Sequence, residues 1–150
     1  MSADQPRPPA NAPAPPLTGV LETALYVADL ARSERFYARL FGARTLLSED
    51  RMRALSIADR QVLLLFARGG STSSNPVPGG TVPPHDGAGQ LHVAFAIPAE
   101  SLGAWEARLA LQGVAVEARV HPPLGGTSLY LRDPDGHLVE LATPGVWEIY

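Results

Sequence analysis

The chain has 150 residues, a net charge of −3 at neutral pH and no cysteine. That length fits one domain, and the missing thiols exclude a disulfide scaffold, a cysteine nucleophile and any Cys-ligated metal. No basic stretch points to a nucleic-acid partner, no apolar run approaches the ~20 residues a membrane helix needs, and the first residues lack a signal-peptide pattern, so the expectation is a cytoplasmic protein.

Residues 1–16 hold six prolines and four alanines, a composition that forms neither helix nor ladder and reads as a disordered tail. A single domain over residues 17–150 is expected to follow. Val20–Val27 alternates as a strand. Leu30–Phe41 repeats apolar residues at helical spacing, with Asp29 as N-cap and Gly42 as stop. Ala43–Glu49, Met52–Ala58 and Gln61–Ala67 read as three more strands. Residues 69–89, rich in Gly, Pro and Ser, make a long loop, either a functional lid or disordered. Gln90–Ile97 is then a strand, Glu100–Gln112 a second helix stopped by Gly113, and Val114–Val120, Thr127–Arg132 and His137–Thr143 three final strands.

The order strand, helix, three strands therefore occurs twice, in modules of about residues 17–68 and 90–150. FYARLFG at 36–42 is echoed by WEARLALQG at 105–113, and DRQVLLLF at 59–66 by DGHLVELA at 135–142. The predicted class is α+β, with two βαβββ modules pairing into a curved, half-open barrel whose concave face forms the pocket. Strand alternation puts one ionisable group among small neighbours on that face of three strands: Glu22, His92 and Glu140. A carboxylate in a low-dielectric pocket costs several kcal/mol unless it is paired or ligated. One nitrogen and two carboxylates suit a divalent metal, and three protein ligands leave positions open for water or substrate. On the residues alone a hydrogen-bonded core histidine and solvent-facing glutamates remain the alternative.

These residues resemble the vicinal oxygen chelate superfamily, which includes glyoxalase I, fosfomycin-resistance enzymes, extradiol dioxygenases and bleomycin-resistance proteins. The resemblance rests on ETALYVADLARSERFYARLFGA at 22–43, QLHVAFAI at 90–97 and GGTSLYLRDPDGHLVELATP at 125–144. It implies the glyoxalase/dioxygenase fold, a homodimer, a small-molecule substrate, and one divalent ion (Fe, Mn, Zn, Ni or Mg, undistinguished) on the concave face. Its ligand positions fall on Glu22, where the family usually has His, on His92, on Glu140, and on Leu64, which cannot ligate. The site then resembles three-ligand members, and Leu64 speaks against glyoxalase-type isomerisation. In some relatives the first-strand ligand belongs to the partner chain, so Glu22 is a candidate to complete a neighbour's site. The implied function is a metal-dependent lyase, dioxygenase or resistance-type transferase. The alternative is a metal-free binding or drug-sequestration protein of the bleomycin-resistance type.

Around the proposed ion, Glu140 and Tyr130 are the candidate catalytic residues, with Tyr130 placed to donate to a substrate oxyanion. Leu64 and Phe66 are expected to form an apolar wall, and His85, near the end of the long loop, is a candidate lid residue with acid or base character near neutral pH. Tyr26 and Tyr130 have packing as their other reading. Arg53 is a candidate anion binder or a solvated side chain. His121 and His137 are expected at the surface. Ser33 and Ser101 have no His–Asp partners for hydrolase chemistry, and Gly125–Gly126 is a turn too short to cradle phosphate.

Overall fold

The structure, a computed structural model, describes residues 12–150. The tail reading for residues 1–11 lies outside the described residues, and 12–16 are exposed with no helix or strand. The first module runs β1 (Glu22–Val27), α1 (Leu30–Phe41), β2 (Arg44–Ser48), β3 (Met52–Ile57) and β4 (Gln61–Ala67). A hairpin follows, β5 (Asn75–Val77) and β6 (Gly80–Val82). The second module runs β7 (His92–Ala96), a 3₁₀ turn (Ala99–Ser101), α2 (Leu102–Leu111), β8 (Ala118–Val120), β9 (Ser128–Arg132) and β10 (Leu138–Ala142).

Each module makes a four-stranded sheet of the same topology, β1-β4-β3-β2 and β7-β10-β9-β8. In each, the first strand runs parallel to the last, and the other pairs are antiparallel. The helical crossover sets β2 running in the direction of β1, and two reversals through β3 leave β4 running that way again, so β4 pairs with β1 in parallel. α1 forms where expected because Asp29 is extended and its Oδ1 accepts from Arg32 N at 2.9 Å, while Gly42 ends the helix in the left-handed region at φ 68°.

The sheets turn their aliphatic faces inward onto the two helices. Leu25, Leu63 and Leu65 of the first sheet, and Leu129, Leu131 and Leu141 of the second, belong to one shared core with Tyr37, Leu40 and Leu109 of the helices. Each fully buried leucine contributes roughly 1.5–3 kcal/mol. Phe41 of α1 closes the middle of this layer, with its ring centroid 5.8 Å from Trp105 of α2 and 5.0 Å from Phe95 of β7. Arg108 of α2 donates to the Leu40 and Arg39 carbonyls and so caps the end of α1. With the helices between the sheets, the other face of each sheet points outward.

The DPDGH segment (133–137) joins the modules. Asp135 Oδ1 accepts from Ala28 N at 2.8 Å and its Oδ2 from Ser33 Oγ at 3.1 Å, with Arg32 and Arg68 at 3.5 and 3.3 Å. Tyr37 OH donates to Asp133 Oδ2 at 2.9 Å. His137, expected at the surface, is instead fully buried. Its Nδ1 accepts from Leu91 N at 2.9 Å, so the proton sits on Nε2 and is donated to the Tyr26 carbonyl at 2.8 Å. The strand periodicity correctly turned His137 away from Glu140, but that inner side is the inter-module core and not solvent.

Three further expectations are adjusted. Residues 69–89 are ordered by the β5–β6 hairpin and by His85 N donating to Ser71 O at 2.9 Å. The strand expected over Val114–Val120 pairs only from Ala118, because Val114 N first caps α2 by donating to Leu109 O at 2.9 Å. Arg53, expected as an anion binder or a solvated side chain, is instead paired with Glu34, its Nε donating to Oε2 at 2.9 Å.

Candidate metal and substrate site

On the outer face of the second sheet, parallel pairing sets His92 opposite Leu138, which puts Glu140 two residues along on the neighbouring strand and on the same face. The side chains meet, with His92 Nε2 3.3 Å from Glu140 Oε2. His92 Nδ1 lies 2.9 Å from the Leu138 carbonyl, which can only accept, so Nδ1 carries the proton and Nε2 is directed at the carboxylate. Glu140 is 6% exposed, and its other oxygen, Oε1, accepts from Ser128 Oγ. Each group therefore has one atom fixed by the sheet and one turned toward the other. Ala94 and Ala96 leave the surface beside them open.

Tyr130 lies directly across the β9–β10 pair from Glu140, and its ring centroid is 6.3 Å from that of His92. Burial, and then the Glu140 charge, hold its phenol above the usual range, so it remains an O–H donor at neutral pH.

The first sheet carries the other candidates. Glu22 is exposed and lines a cavity of about 280 Å³ together with Leu64, Phe66, Met52, Arg51 and His85. The β5–β6 hairpin covers this cavity, and Tyr26 anchors the segment that follows it. Tyr26 OH and His85 Nδ1 are 2.6 Å apart, the Phe66 and His85 centroids are 4.5 Å apart, and Gly87 packs so closely on the Tyr26 ring that a Cβ there would lie 2.3 Å from it. Burial chiefly, and Asp86 secondarily, raise the Tyr26 phenol, which keeps its proton.

The structure thus brings His92, Glu140 and Tyr130 together on one sheet, and Glu22, Leu64, Phe66 and His85 together on the other. Among the described residues no three His, Asp or Glu side chains converge within one chain. Glu22 is apart from His92 and Glu140 because the helices stand between the two sheets. Sequence reasoning missed Ser128, although alternation from Tyr130 puts it on the Glu140 face. It also missed Arg51, for which a turn position offered no signal.

Two repeated βαβββ modules, with a histidine and a buried glutamate on adjacent strands of an outward sheet face, define a protein of the glyoxalase-fold class. The comparisons agree. The chain matches the Glyoxalase/Bleomycin resistance protein/Dioxygenase superfamily over residues 19–141, and it belongs to that superfamily. Its fold is similar to the crystal structure of lactoylglutathione lyase from Agrobacterium tumefaciens, with a TM-score of 0.81 and 31% identity over 89% of this chain and 99% of that one. Its sequence is 29% identical to metallothiol transferase FosB of Bacillus licheniformis, over 88% of this chain and 79% of that protein. FosX from Listeria monocytogenes, a genomically encoded fosfomycin resistance protein, shares the fold at a TM-score of 0.63 and 22% identity, covering 87% of this chain and 96% of that one. Among the described residues no helix is long and apolar enough to cross a membrane.

Proposed function

We propose that the protein is a metal-dependent enzyme acting on an oxygen-bearing small molecule, with each centre built from His92 and Glu140 of one protomer and Glu22 of a second copy. The observation that carries this reading is the fixed pair: His92 Nε2 and Glu140 Oε2, 3.3 Å apart, each with its remaining polar atom engaged by Leu138 O or Ser128 Oγ. A lone pair facing a carboxylate is repulsive unless a cation or proton stands with them, so this donor set fits a divalent ion. The outward faces support the second half of the reading. Glu22 and the cavity are on one side of the molecule and the His92–Glu140 pair on the other, which suits two copies exchanging faces.

A bound divalent ion supplies Lewis acidity toward an oxygen of the small molecule and stabilises negative charge developing there. The chain's own residues do the rest. Ser128 and the Leu138 carbonyl hold the donors in position. Tyr130 offers an O–H to an oxygen of the bound molecule, and Leu64 with Phe66 excludes water from the partner cavity. Leu64 provides no fourth ligand and leaves positions open.

Complementation tests this directly. Glu22→Ala and His92→Ala variants purified alone are expected to hold no metal, while their co-expressed mixture regains up to one intact centre per heterodimer. Metal retained by Glu22→Ala alone, or no recovery in a mixture shown to contain heterodimers, refutes the shared centre. The apolar wall of Leu64 and Phe66 also favours a metal-free binding protein. That reading expects identical small-molecule affinity with and without chelator.

A further inference from the structure

We infer that the cavity under the β5–β6 hairpin binds the anionic end of a small molecule with an apolar, planar body, recognised by Arg51 through charge and by His85 through an N–H bond. This deepens the proposed function by naming its substrate class. Arg51 lines the cavity, and its Nη1 donates to the Gly70 carbonyl at 3.0 Å, which fixes the guanidinium against the base of the hairpin. Among the described residues no ion pair holds Arg51, whereas its neighbour Arg53 is bound to Glu34. A half-buried guanidinium with a backbone anchor and no carboxylate partner is a fixed cation, and its planar fork matches a carboxylate. Glu49, on the same turn, also lines the cavity and is exposed.

His85 supplies the second contact. The Tyr26 hydroxyl and His85 Nδ1 are 2.6 Å apart, and the inferred arrangement has the buried phenol as donor and Nδ1 as acceptor. A neutral imidazole that accepts at Nδ1 carries its proton on Nε2, so Tyr26 sets the ring as a donor on a wall of the cavity. The apolar part of the lining is Leu64, Phe66 and Met52, and the carboxylates Glu22 and Glu49 line the same cavity, so an anion is held only where Arg51 and His85 reach it. A volume of about 280 Å³ is at the lower end for small-molecule pockets, so the ligand that fits is compact. Tyr26 is a positioning residue here, and Arg51 and His85 are binding residues.

Benzoate and benzyl alcohol are suitable probes, since they share a ring and differ in charge. Each is titrated by NMR into the full chain, as purified and again after chelator treatment. Wild type is expected to prefer benzoate by about tenfold in both states, Arg51→Gln to bind the two equally, and His85→Gln to lose several-fold in benzoate affinity. Tyr26→Phe is expected to move the His85 ring from a single Nε2–H form to a mixture of tautomers in ¹⁵N spectra, which a merely structural tyrosine would not do. Equal binding of the probes by wild type, no saturable benzoate binding, or a preference that survives Arg51→Gln overturns the inference. Metal content is measured on the same samples. Metal present without an Arg51-dependent preference sinks this inference alone, and an Arg51-dependent preference without metal sinks the metal reading alone.

Discussion

His137→Ala removes two hydrogen bonds at the joint between the modules. The imidazole is fully buried, accepts from Leu91 N at 2.9 Å and donates to Tyr26 O at 2.8 Å. Alanine leaves one N–H and one C=O without their partner, each worth about 1–3 kcal/mol when it stays buried and unpaired, and it opens a void where the ring stood. Some relaxation toward water lowers the sum, so the expected loss is about 3–5 kcal/mol, a large part of the roughly 5–15 kcal/mol by which a domain is stable. His137→Asn provides the contrast. An amide oxygen can occupy the Nδ1 position and keep the Leu91 bond, while the shorter side chain does not reach Tyr26 O, so the loss should be about 1–2 kcal/mol. Urea unfolding at one fixed protein concentration measures both, since association also shifts the midpoint. An alanine variant that loses less than about 1 kcal/mol, or an asparagine variant no more stable than alanine, would refute the assignment of His137 as the joint.

Three other outcomes follow from the structure. Burial first, and Asp133 second, push the Tyr37 phenol well above its usual pKa; its stability contribution is therefore complete below about pH 10 and falls by about 1.4 kcal/mol per pH unit above it, as the unfolded phenol ionises and the folded one does not. Tyr37→Phe should flatten that decline between pH 9 and pH 11 in urea titrations, and identical slopes in the two proteins would contradict it. Gly87→Ala sets a methyl against the Tyr26 ring, so it should separate Tyr26 from His85 and abolish the single-tautomer ¹⁵N signature; an unchanged His85 spectrum counts against Tyr26 orienting that ring. Ser128→Ala frees Glu140 Oε1 and is expected to weaken metal retention by about 10–100-fold, read by competition with a chelator, while Glu140→Gln should remove retention altogether.

Much of the fold was legible because short apolar runs bounded by turn residues recur in the same order in both halves. At the centres of β4 and β10 the inward positions are Leu63, Leu65, Val139 and Leu141, and all four are at zero exposure. α1 had unambiguous ends in Asp29 and Gly42. The β5–β6 hairpin was not legible, because its strands are three residues long and contain Pro76 and Gly80, which weaken any strand signal. His137 was misplaced for a related reason. Periodicity tells which side of a strand a residue takes, but not whether that side meets water or another module.

The same limit explains the split of the candidate site. An internal repeat assigns Glu22 and His92 the same depth on equivalent first strands, and equal depth suggests a common cavity only if the two sheets face each other. Whether they do depends on which side the helices occupy, and that is settled by contacts such as Phe41 on Trp105 and Arg108 on Leu40 O, between residues far apart in sequence. With both helices inside, the outward faces carry the candidates separately: a carboxylate, a cation and a cavity on one, an imidazole and a buried carboxylate on the other. Two protein donors, His92 and Glu140, are fewer than the three or four that hold a divalent ion in protein sites. If a second copy supplies the rest, metal binding and association are one equilibrium, so added metal must tighten the dimer by the factor by which dimerisation tightens the metal.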